Sequence, residues 1–204
     1  MLALRQSGIP IIGFRYGIYL QNFTYSGNKL DIGLCLPSDE MKRANPNGVW
    51  EIPSIVAKTG ITNDYKNIGL KGDVIKICSD ILIFSEPKLI DKTIIMVRKP
   101  KAVLSSMIRC GMFVKAEASK VSLKIAREIK TAIQFLEENN KEYITISYEN
   151  FLRFPSHTMK RVCKFLGRGD YKYGAKVADK KLNHGTIEGL GDIKELEKVY
   201  NTMF

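Results

Sequence analysis

Thr93 to Gly111 reads TIIMVRKPKAVLSSMIRCG, and this stretch constrains the fold more than any other part of the chain. Thr93–Val97 is nearly all apolar, as expected for a strand covered on both faces. Arg98 closes it, and a Lys-Pro pair then opens a helix from Pro100 to about Met112. Proline suits a first helical turn, where its missing N–H is not needed and its φ is already helical. Ser106 follows Arg98 by eight residues. The unit delivers a guanidinium, a hydroxyl and helix N-terminal amides to the carboxyl end of a strand. In open α/β sheets, phosphorylated ligands sit there. On local physics alone, a strand-end charge and a helix-surface serine account for the same residues equally well.

The flanking sequence alternates strands with helices. Residues 1–7 read as the end of a helix, Gly8 as its stop and Ile9–Phe14 as a short strand. Arg15 to Gly48 has weak periodicity and reads as a long excursion with a short helix near Pro37–Arg43, and Trp50–Thr59 as a helix ended by Gly60. Val74–Cys78 is a predicted strand and Ile81–Phe84 the start of a short helix. Val121, Ile125, Ile129, Ile133 and Leu136 form one apolar stripe on a longer helix that ends within Glu137–Lys141. Tyr143–Ser147 is the next strand. Pro155 and Ser156 start a helix, with Ser156 as its N-cap, Met159, Val162, Cys163 and Leu166 on its buried face, and Gly167 as its stop. Ile193–Met203 reads as a terminal helix. This alternation predicts a single α/β domain over residues 1–204 with a mostly parallel sheet. At 204 residues and 45% hydrophobic, the chain is long enough for one well-buried core.

A net charge of +11 calls for an anionic partner or a generally basic surface. The lysines are spread and no nucleic-acid motif appears, so a specific nucleic-acid role rests on charge alone. A multiply charged nucleotide or an acidic acceptor satisfies the same charge. No apolar run approaches the roughly 18 residues that span a bilayer, and the N-terminus lacks a signal-peptide pattern. Cys35, Cys78, Cys110 and Cys163 are scattered, and with only His157 and His184 no metal cluster can be drawn from local spacing. Reduced thiols and a cytoplasmic location are expected, with the oligomeric state open.

The order of these segments carries a resemblance. Arg98 to Ser106, with proline between, resembles the 3′-phosphate-binding segment of sulfotransferases that use 3′-phosphoadenosine 5′-phosphosulfate (PAPS). Ile144–Gly167, ITISYENFLRFPSHTMKRVCKFLG, resembles that family's strand–Tyr-Glu–helix–Phe-Leu-Gly block, and GDVIKICSDILI (Gly72–Ile83) its Lys-bearing strand. ANPNGVWE (Ala44–Glu51) is similar to a block of a bacterial branch, downstream of a Gly-Leu-Pro strand much like Ser7–Ile12. The likeness covers roughly residues 1–170.

The resemblance implies a P-loop nucleoside-triphosphatase-like three-layer α/β fold. It implies transfer of a sulfuryl group from PAPS to a hydroxyl or amine of a small-molecule or glycan acceptor, with Arg98 and Ser106 gripping the cofactor's 3′-phosphate. Lys76 would sit near the leaving phosphate and Asp80 would accept the acceptor's proton, although a solvated strand end explains both residues too. Glu149 is expected to anchor a structural hydrogen bond, and His157 to lie on the surface. One departure stands out. The family opens with a strand and a Pro-x-Ser-Gly-Thr loop for the 5′-phosphosulfate, and this chain aligns just after it, as an N-terminally incomplete version of the fold. Arg5-Gln6-Ser7-Gly8 looks superficially like the loop but precedes a strand instead of following one. Poor catalysis, or a non-catalytic binding protein that keeps a 3′-phosphonucleotide or acidic-partner site, is the alternative expectation.

Overall fold

Two pairs of parallel strands organise the chain. The computed structural model describes residues 2–9, 11–12, 14–15, 24–25, 28–29, 50–51, 74–109, 111–178 and 185–204. After helix α1 (Leu2–Gln6), strand β1 (Ile11–Ile12) pairs in parallel with β6 (Val74–Ile75), Ile11 opposite Val74. Between them in sequence, β2 (Phe14–Arg15) pairs antiparallel with β5 (Trp50–Glu51), and β3 (Thr24–Tyr25) with β4 (Asn28–Lys29). The longer parallel ladder joins β7 (Lys92–Val97) to β8 (Glu142–Ser147), in unbroken register from Lys92↔Glu142 to Val97↔Ser147.

Helices close both faces of that ladder. Successive strand residues point to opposite faces, and the packing follows this rule. Ile95 and Tyr143 meet Ala132 and Leu136 of α4 (Ala118–Glu138), together with Leu82 of α2 (Ser79–Leu82) and Ile90. Ile94, Ile144 and Ile146 meet Met159, Val162 and Cys163 of α6 (Pro155–Leu166), and Ala3 and Leu4 of α1 join the same cluster. Ile75 and Ile77, at and just after β6, pack on the α4 side. A third cluster joins Leu104 of α3 (Pro100–Arg109) and Ala118 and Ala126 of α4 to Leu196 and Val199 of α8 (Lys194–Thr202). The chain is thus an α/β protein with a small parallel sheet.

Several boundaries differ from the sequence expectation, each for a local reason. The four strands expected in one sheet form two separate parallel ladders among the described residues. Trp50 and Glu51, expected in a helix, are in a strand; residues 52–59 and the short helix expected at Pro37–Arg43 lie outside the described residues. The strand expected to reach Cys78 ends at Ile75, and the amides of Ile81 and Leu82 turn back onto the Cys78 carbonyl to start α2 at Ser79. Ser156 does not cap the helix from Pro155, which follows Phe154 with no side-chain cap; Ser147 caps the helix before it. The Ser147 hydroxyl accepts from the Asn150 amide (3.2 Å) and opens α5 (Tyr148–Arg153), while Pro155 opens α6. Four residues of α4's apolar stripe, Val121, Ile125, Ile129 and Ile133, are half-buried, while Ala118, Ser122, Ala126, Ala132 and Leu136 are buried, their mostly small side chains letting neighbouring elements approach.

The stops fall where backbone chemistry requires them. Gly167 ends α6 in the left-handed region (φ 72°), and Asn140, beyond α4, adopts the same conformation (φ 52°), which asparagine tolerates better than most residues. Asp170 caps α7 (Tyr171–Ala175) by accepting from the Lys172 amide at 2.9 Å.

Candidate functional site

The carboxyl ends of β7 and β8 place four side chains together. The ladder ends at Val97↔Ser147, and the pairing by position continues beyond it. Arg98 lies over the Tyr148 ring, its guanidinium carbon 4.8 Å from the centroid. The Lys99 amide donates to Glu149 Oε1 at 2.9 Å, and Ser147 Oγ donates to Glu149 Oε2 at 3.1 Å. Glu149 therefore spans the strand end and the residue preceding α3, a structural role as expected. A carboxylate is favoured there, since the first turn of a helix carries partial positive charge.

Arg98 is half-buried and its stacking on Tyr148 limits its rotamers. A guanidinium over a phenol ring gains about 0.5–2 kcal/mol, depending on desolvation. The in-plane donors of a guanidinium match the geometry of phosphate or carboxylate oxygens. Lys99 and Lys101 beside it are exposed. Cationic side chains gathered at a strand end have the chemistry to hold an anion.

Ser106 lies on α3, half-buried. Its neighbour Ser105 is fully buried and has a different task. Ser105 Oγ donates to the Lys101 carbonyl (2.6 Å) and accepts from the Ile187 amide (2.7 Å), pinning residues near 187 to α3. The guanidinium of Arg109, at the last turn of α3, donates to the Gly185 carbonyl at 2.8 Å, reinforcing that seam.

Lys76 and Asp80 follow β6, Lys76 directly after the strand and Asp80 in the first turn of α2, both exposed. Asp80 is near enough to Glu128 of α4 to affect its titration. Burial first, and the Asp80 charge second, push the Glu128 carboxyl above its ordinary range, against the pull of Lys124 at 3.6 Å. Arg5–Gly8 is not a phosphate cradle. The amides of Ser7, Gly8 and Ile9 are spent on the carbonyls of Ala3, Arg5 and Leu4, and this is the end of a helix, where carbonyls are in excess.

Cys163 is buried, and burial pushes its thiol up, away from thiolate chemistry, while Cys78 is exposed. Cys35, Cys110 and His184 lie outside the described residues. Among the described residues there is no group of three His, Cys, Asp or Glu side chains able to hold a metal ion, and no helix is long and apolar enough to cross a membrane.

Two participants were missed in the sequence. Tyr148, a motif residue in the sequence, is the platform under Arg98, and Ser147 links Glu149 to α5. The available signal was the spacing: with Thr93 set opposite Tyr143, Arg98 falls opposite Tyr148. Comparison with family models, with curated proteins and with solved structures finds no match to this chain.

Proposed function

We propose that this chain is a sulfotransferase-like nucleotide-binding protein whose strand-end cluster takes the 3′-phosphate of PAPS or of adenosine 3′,5′-bisphosphate. One observation carries the reading. Arg98, at the carboxyl end of a parallel strand and just before a helix N-terminus, is held over Tyr148 of the neighbouring strand's continuation. In this reading Arg98 pairs with the 3′-phosphate and Ser106 donates to it from α3.

The reaction is sulfuryl transfer to a hydroxyl or amine. The acceptor oxygen or nitrogen bonds to sulfur as the bond from sulfur to the 5′-phosphate oxygen breaks. The acceptor's proton passes to a base, and adenosine 3′,5′-bisphosphate leaves. Lys76 neutralises charge on the leaving phosphate, and Asp80 is the candidate base. Positioning and charge neutralisation supply most of the acceleration, as in phosphoryl transfer.

A second reading, a non-catalytic binding protein, is favoured by Glu149. Its carboxylate already engages the Lys99 amide at the start of α3, where an anionic ligand would otherwise find a donor. Calorimetry with adenosine 3′,5′-bisphosphate tests the binding common to both readings. Arg98→Ala should weaken it by about 1.5–3 kcal/mol, the scale of a hydrogen bond to a charged group. Equal binding by mutant and parent would remove Arg98 from the site. Release of adenosine 3′,5′-bisphosphate from PAPS across hydroxyl and amine acceptors separates enzyme from binder.

A further inference from the structure

A cavity of about 240 Å³ lies at the end of β8, between α5, the first two turns of α6 and Phe204. Ile146, Phe154 and Phe204 give it apolar walls, while Asn150, His157 and Arg161 supply polar groups. His157 and Arg161 are four residues apart on α6 and so share a face, one turn above the other. Among the described residues, no Asp or Glu side chain lines the cavity. The sequence contains no Asp or Glu between Glu149 and Asp170, so the exposed side of α6, with Lys160, Arg161 and Lys164, is cationic along its length.

The aromatic walls are open to solvent rather than spent on the core: Phe154 is 51% and Phe204 55% exposed. Phe154 carries the Arg153 guanidinium 4.9 Å from its ring centroid, and Phe204 tilts against Tyr200 at 5.3 Å. An apolar-walled concavity with a few convergent polar groups is the usual form of a small-molecule site. Arg161 in the lining, with Lys160 and Lys164 exposed on the same helix, favours anions at this end of α6.

We propose that this cavity is a second ligand site, for a small organic anion with an aromatic or branched apolar body and a carboxylate or phosphate head. Arg161 pairs with the head, Asn150 donates to it, and Phe154 and Phe204 enclose the body. The inference is independent of the strand-end reading and uses different side chains. Ser147 joins the two, because it lines the cavity and also donates to Glu149.

The test is amide-resolved NMR of the whole chain with four probes: benzoate, phenyl phosphate, inorganic phosphate and benzyl alcohol. The first two should shift the amides of Asn150, His157 and Arg161; the last two, each half of such a ligand, should not at the same concentration. A larger response to one of the two whole anions identifies its head group. Arg161→Ala should weaken binding about tenfold or more, the effect of losing a charged hydrogen bond, and Lys164→Ala, outside the cavity, should leave it unchanged. Equal shifts with inorganic phosphate, undiminished binding by Arg161→Ala, or no shifts up to about 10 mM, a few kcal/mol of affinity, would overturn the proposal. Binding of a single-stranded oligonucleotide along α6 without any response to the small anions would also overturn it.

Discussion

Arg98 and Tyr148 meet one position beyond the last ladder pair of β7 and β8, with the guanidinium carbon 4.8 Å from the ring centroid. The contact continues the strand register through side chains after the backbone ladder has ended. It presents Arg98 at the strand ends already oriented, so an anion that binds there has less rotamer freedom to remove.

Tyr148→Phe should leave affinity for adenosine 3′,5′-bisphosphate close to the parent's, because the π-face that supports Arg98 remains. Tyr148→Ala should weaken it by about 0.5–2 kcal/mol, the range of a guanidinium–aromatic contact. Isothermal calorimetry on the two variants checks this. An equal loss in both would assign the effect to the phenol hydroxyl rather than to stacking.

Glu149 ties the end of β8 to the residue before α3 through its two carboxylate oxygens. Glu149→Gln keeps one acceptor oxygen but loses the charge, and should lower stability by about 0.5–1 kcal/mol, the usual helix N-terminal effect. Glu149→Ala loses both bonds and should cost about 1–3 kcal/mol. Urea unfolding orders the two. If Glu149 competes with an anion for the Lys99 amide, Glu149→Gln should also bind adenosine 3′,5′-bisphosphate more tightly than the parent.

The titration of Glu128 reports where Asp80 sits. Burial first and the Asp80 charge second raise the Glu128 pKa, so the folded state holds a proton there that the unfolded chain has released. Stability from this group is therefore lost as pH rises from the ordinary carboxylate value through the raised one. Asp80→Asn should lower the Glu128 midpoint and narrow that window. A carboxyl-carbon NMR titration measures it, and an unmoved midpoint would place Asp80 away from α4.

Gly174 is where α7 crosses α1. A Cβ there would come within 2.7 Å of both the Ala3 carbonyl oxygen and the Met159 terminal methyl. Gly174→Ala should destabilise by about 1–3 kcal/mol through overpacking. Hydrogen exchange should show α1 losing protection first, since a backbone carbonyl cannot rotate away as a side chain can.

Much of the local order was legible from neighbouring residues alone. Pro100 and Pro155 open their helices, Gly167 ends α6, and the strands at Thr93–Val97 and Tyr143–Ser147 appear within a residue of their observed bounds. These features are legible locally because capping, φ restriction and strand alternation act over a few residues. It also marked Arg98 as a strand-end cation. Tertiary structure decided what Arg98 rests on, since Tyr148 is fifty positions away and reaches it only through the β7–β8 register. That register is selected by the apolar side chains packed between α4 and α6, a condition that no local window contains. The same holds for the small residues that bring α4 close and for the cavity between α5, α6 and Phe204. Each depends on which distant surfaces meet, and long-range packing sets that where local propensity is indifferent.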